Sequence, residues 1–228
     1  MAIVIAVLVL ILALSFLPSW WVRSVIARHS ADRPDFPGTG GEFARHLLSE
    51  MKLNNVGVEQ TEIGDHYDPD AKMVRLSDQH YNGRSLAAVV IAAHEVGHAM
   101  QDATDYAPLR ARTRLAKQAA AIQGIATLLL IAAPFLVLLA RSPSILFLEL
   151  GAGLLLIAMT VLMHATTLPV EFDTSFNRAL PVLQAGRYIP ERDMPAARKI
   201  LRAAAYTYVA AAAVSLLDVM RWIRILRF

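Results

Sequence analysis

The chain has 228 residues, of which 56% are hydrophobic, a formal net charge of +3 and no cysteine. Its mean hydropathy of +0.44 is high for a water-soluble domain and indicates a membrane protein. The missing cysteines exclude disulfide frameworks and thiolate metal sites, so any metal here must be bound by His, Asp or Glu. The basic residues are scattered arginines, many beside apolar blocks, which fits membrane orientation and not a nucleic-acid partner.

Residues 2–17 are apolar apart from Ser15, and Trp20, Trp21, Arg23 and Arg28 follow as an aromatic belt with a positive flank. With no basic leading region and no small-residue cleavage site, residues 1–22 read as a retained transmembrane anchor with residue 23 onward in the cytoplasm. Residues 29–38 form a proline-rich linker. Over 41–53, Phe43, Leu47, Leu48 and Met51 recur at helical spacing until Asn54-Asn55 stops the helix. Residues 56–64 and 72–77 alternate around the turn-rich "DHYDPDA", which predicts a β-hairpin. The strand over Lys72–Ser77 is either an open edge for an added substrate strand or an ordinary paired strand. Asn82-Gly83 marks a turn, and Ser85 is placed to cap a helix over 86–101.

Arg110, Arg112, Arg114 and Lys117 then suit anionic headgroups and lead into an apolar block at 119–140. The short RSPS link joins it to a second block at 145–168, each long enough to cross a bilayer. Residues 119–168 are therefore expected as a transmembrane hairpin. Residues 29–118 and 169–202 become two halves of one polar domain on the same face of the membrane. A helix is expected from Pro195 or just before it. Residues 203–228 read as a last membrane helix of marginal length, closed early by Asp218 and Arg221. Its terminal Arg224 and Arg227 would run against the positive-inside trend.

The stretch "AAHEVGHAMQD" carries the chemistry. On a helix, His94 and His98 lie four apart on one face and can both point at one ion. Glu95, about 100° round the helix, is poorly placed to ligate but well placed to take a proton from water. This is the mechanical content of H-E-x-x-H: two zinc ligands and a general base. A short pattern can arise by chance, and a buried histidine pair is the bland alternative. A catalytic zinc also needs a third protein ligand. His164, Glu171 and Asp173 are the later candidates, whereas Asp102 and Asp105 follow the motif too closely to fold back.

"DHYDPDAKMVRLSDQHYNGRSLAAVVIAAHEVGHAMQD", the apolar hairpin and "TLPVEFDTSFNRAL" together resemble the YugP-like membrane zinc metallopeptidases. The likeness runs from about residue 30 to 205. That family is similar to the HtpX-type gluzincins, whose third ligand is a glutamate on a later helix. The resemblance implies an α+β fold: a helical integral membrane protein with a small gluzincin-like metalloprotease domain interrupted by a transmembrane hairpin. It implies a Zn2+ cofactor held by His94, His98 and Glu171, with Glu95 catalytic. HtpX-type enzymes carry an aspartate four residues after the glutamate. Here Ser175 stands at that position and Asp173 two residues after, which puts support of the histidines in question.

The expected activity is hydrolysis of peptide bonds in membrane or membrane-proximal proteins by a multi-pass cell-membrane enzyme with its site on the cytoplasmic face. Protein or peptide substrates and the lipid bilayer are the expected partners, alongside a membrane-protein partner or a second copy of the chain. The alternative is a membrane scaffold with a structural zinc. Glu149 lies in a membrane block, where an acid reads as functional or interfacial. His29, His46, His66 and His80 lack metal spacing. Asn177, Arg178 and Tyr188 are candidates for oxyanion stabilisation, weighed against structural ion pairs and caps.

Overall fold

The computed structural model describes residues 16–17, 19–140 and 144–206. Most of the expected N-terminal anchor, the first three residues of the RSPS link and most of the last membrane segment lie outside them, as do the side chains of Glu149 and His164. Residues 19–27 form helix α1. Thr39 caps α2 (Gly40–Glu50): its hydroxyl accepts from the Glu42 amide while the Glu42 carboxylate accepts from the Thr39 amide, a reciprocal capping box. Gly40 lets α2 lie close to its neighbours, since a Cβ there would come within 2.2 Å of the His80 carbonyl oxygen and 2.9 Å of that of Ala88. The helix ends at Glu50, three residues before the expected boundary. Lys52 then turns the chain with a left-handed φ of 58°.

Strands β1 (Gly57–Thr61), β2 (His66–Asp68) and β3 (Met73–Ser77) make a sheet of order β1-β3-β2. β1 runs parallel to β3, and β2 runs antiparallel to it. This corrects the hairpin expected between 56–64 and 72–77. The segment read as a turn supplies a strand of its own, because Asp68 accepts from the amides of Asp70 and Ala71 and reverses the chain directly into β3. β1 is left to pair on the far side. Arg75 ties the sheet together by bridging Glu59 on β1 and Asp68 on β2. β3 is thus the central strand, and the open-edge assignment to Lys72–Ser77 fails for that reason. The edges belong to β1 and β2, and β2 is the one beside the cleft.

After the short α3 (Asp78–Tyr81), Ser85 caps α4 (Leu86–Ala103) by accepting from the Ala88 amide. All but three of the residues of α4 are buried, as expected of a helix apolar on every side. It runs through the middle of the domain, packed on α2, the sheet and the segment after residue 172. Leu47, Val74, Leu76, Val90, Val96, Leu183, Ile200 and Leu201 fill the core around it, each burial stabilising by about 1.5–3 kcal/mol.

Helices α5 (Ala107–Ala140) and α6 (Ser144–Phe172) are long and pack against each other. α6 passes without a break into a π-helix, Asp173–Ala179, and then α7 (Leu180–Ala185). The stretch Gly153–Ala185 is long and apolar enough to cross a membrane. A 3₁₀ turn at Glu191–Asp193 leads into α8, residues 194–206, with Pro195 in its first turn where its missing N–H costs nothing.

Candidate metal centre

His94 and His98 project from one face of α4, their rings edge to face with centroids 4.9 Å apart. Glu171 comes from the end of α6, and its Oε2 lies 3.1 Å from His94 Nε2 and 3.6 Å from His98 Nε2. One ligand atom from each of the three residues lies within 4.8 Å of the others, and all three side chains are buried.

The other side of each imidazole is occupied by protein. His94 Nδ1 sits 3.2 Å from Ser175 Oγ, which in turn donates to the Leu201 carbonyl. His98 Nδ1 sits 3.1 Å from Gln101 Oε1 and 3.0 Å from Thr174 Oγ1. Gln101 is fully buried and is held by donating to the Val170 carbonyl and to Asp173 Oδ2. With these acceptors in place the protons belong on Nδ1. Both Nε2 lone pairs and the Glu171 oxygen then face the same point with no proton between them, an arrangement that a divalent cation satisfies. Two neutral imidazoles and one carboxylate, without thiolate, are a donor set that suits zinc.

The π-helix delivers these contacts. It puts Thr174 and Ser175 against α4 directly after Glu171 at the end of α6, a placement in keeping with the frequent location of π segments at functional sites. Gly97, between the two histidines, permits the approach: a Cβ there would lie 2.9 Å from the Thr174 methyl and 3.2 Å from its carbonyl oxygen.

Glu95 is buried beside His94 and lines the same cleft. Burial lifts its carboxyl from 4.5 to about 7; the charges of Glu171 and Asp65 act in the same direction, against His94 and Arg112. A carboxylate so poised exchanges protons near neutral pH. The cleft in front of it has a volume of about 590 Å³. One wall is the edge strand β2 with Asp65, and the other is α5 with Leu109 and Arg112. Val22 and Ile26 of α1 and Ala204 of α8 add apolar lining.

The structure thus brings His94, Glu95, His98 and Glu171 into one site. Asp173 enters only through Gln101. Arg178 and Asn177 both bond to Asp173, and Arg178 also covers the Tyr106 ring. Tyr188 packs on Phe43 and His46, away from the cleft. None of the three is an oxyanion donor, because each is spent on internal structure. Among the histidines without metal spacing, His80 is buried in an ion pair with Asp65. Three of the basic residues expected at headgroups are also engaged internally: Arg110 with Asp105, Lys117 with Asp70 and Arg112 with Glu171. Sequence reasoning does not single out Gln101, Thr174 or Arg112 as part of the site. Gln101 lies seven residues after His94 and three after His98, hence on the same helix face, and that spacing is the available signal.

A buried His/His/Glu cluster built from H-E-x-x-H and a later helix defines a metallopeptidase-like centre. A family model described as "Putative neutral zinc metallopeptidase" matches residues 3–227, and the chain belongs to that family. It is 36% identical over 216 residues to the "Putative membrane protease YugP" of Bacillus subtilis (strain 168), an alignment covering 94% of this chain and 92% of that protein. No solved structure matches it. The family resemblance read from the motifs is borne out.

Proposed function

We propose that this protein is a membrane-anchored zinc endopeptidase in which His94, His98 and Glu171 hold the ion and Glu95 is the general base. The observation that carries the reading is the convergence of both Nε2 atoms on one Glu171 oxygen while each Nδ1 is bonded to protein. Zinc bound there supplies Lewis acidity, making a water more acidic and a carbonyl more electrophilic. Glu95 takes the proton of the attacking water and passes it to the departing amine. The β2 edge offers backbone groups to an extended peptide, and the opposing α5 wall confines it above Glu95.

We further propose a multi-pass arrangement with the site on the cytoplasmic face and substrates cleaved beside the bilayer. The Bacillus relative is called a membrane protease. α5 and α6, which carry the cleft wall and Glu171, continue into the apolar blocks of the sequence. Both halves of the site are therefore tethered on short leads, which raises the effective concentration of membrane-bound substrates. A reporter fused at 141–144 is expected outside and reporters near 60–70 and 185–190 inside; opposite sides for the last two would refute the topology.

The decisive experiment is Glu95→Gln. The variant should keep its zinc and its fold while proteolysis falls by about 10²–10⁴-fold. Wild-type cleavage by it would refute the mechanism and leave zinc in a structural role.

A further inference from the structure

The two oxygens of Glu171 have different surroundings. Oε2 faces the imidazoles of His94 and His98, whereas Oε1 accepts from Arg112 Nη1 at 3.1 Å. Glu171 is only 2% exposed, and Arg112 reaches it from α5, the helix that walls the cleft. A carboxylate can give a metal one oxygen or both. A catalytic zinc works with three protein donors and an open position, and a glutamate chelating through both oxygens would crowd that position.

We infer that Arg112 is a positioning residue that restricts Glu171 to a single donor oxygen and sets a permanent positive charge beside the ion. The inference rests on the zinc site proposed for His94, His98 and Glu171. Two consequences follow from elementary electrostatics. The neighbouring cation weakens metal binding, because like charges repel across a buried site. It also draws electron density from the carboxylate, leaving the bound ion a stronger Lewis acid. Arg112 therefore trades affinity for an open and more electrophilic site. Lysine keeps the charge but lacks the planar fork that fixes a carboxylate, so it should replace only part of the effect.

The test uses the full chain in detergent, stripped of metal and titrated with Co2+, whose visible absorption is intense when four-coordinate and weak at higher coordination. The wild type should give the intense bands. Arg112→Met should bind cobalt on the order of tenfold more tightly, through loss of the like charge, and show the weaker bands of a chelating Glu171. Arg112→Lys should fall between, and it decides the matter where the methionine variant does not fold. Unchanged spectra and affinity in both variants would overturn the role of Arg112 while leaving the metal site intact, as would loss of cobalt binding, which makes Arg112 a mere prop. A wild type that takes up no cobalt would overturn both readings.

Discussion

The two segments that meet at the centre are built on different terms. α4 is a regular helix, capped by Ser85, buried on nearly every side, and it presents His94 and His98 through helical periodicity alone. The segment opposite begins as the end of the long α6 with Pro169 inside it, and changes to π geometry immediately after Phe172. The first segment supplies its candidate ligands by repetition, the second by irregularity. A pair of ligands fixed four residues apart needs no partner to be aligned. A third ligand brought from a distant part of the chain needs a surface shaped to dock, and Gly97, Thr174 and Ser175 provide it.

The largest effect on this contrast should come from the ligands themselves. His94→Ala, His98→Ala or Glu171→Ala should each reduce zinc in purified protein from about one ion per chain to a small residue of that. Full occupancy in any of the three, measured by elemental analysis, would exclude that residue. Glu171→Ala is the sharper variant, since it leaves α4 untouched and asks whether two histidines suffice.

Gly97→Ala attacks the docking surface without removing a ligand. The added Cβ meets Thr174 backbone and methyl at overlapping distance, so the π-helix must retreat. Overpacking of this kind costs about 1–3 kcal/mol. A lower unfolding midpoint together with weaker zinc binding is expected; a loss of zinc affinity with unchanged stability would argue against close packing as the cause.

The hydrogen bonds behind the imidazoles rank next. Gln101→Leu removes the amide acceptor of His98 Nδ1, leaving it the Thr174 hydroxyl, and takes from Asp173 one of its three donors, with Asn177 and Arg178 remaining. Zinc affinity should fall by about 10- to 100-fold. Ser175→Ala removes a single acceptor from His94 and should sit at or below the lower end of that range, and Ser175→Asp, which restores a carboxylate, should tighten binding. Competition with a chromophoric chelator measures all three. If Ser175→Ala weakened zinc more than Gln101→Leu, His94 and not His98 would be the histidine more dependent on its hydrogen-bond partner.

Much of this protein was legible in its sequence, and the legible parts share a cause. The cap of α4, the helix bearing H-E-x-x-H and the start of α8 at Pro195 are all set by interactions within a few residues. The apolar lengths of α5 and α6 are likewise local properties of composition. The sequence also contained Glu171 among its candidates, although the spacing of residues did not single it out and a family resemblance did. What only tertiary structure decided is whatever depends on two distant surfaces meeting. β3 became the central strand because Asp68 turned the chain back early and β1 had only the other side to pair with. The support of His98 passed to Gln101, backed by Asp173, and that of His94 to Ser175, because the π-helix turns Asp173 and Ser175 toward α4. Arg112 left its apparent place among membrane-facing bases for a buried carboxylate oxygen, since a charged Glu171 inside the domain must be paired. Periodicity and capping act over one turn of chain and can be read from letters; register, docking and charge pairing are settled by what lies across the gap.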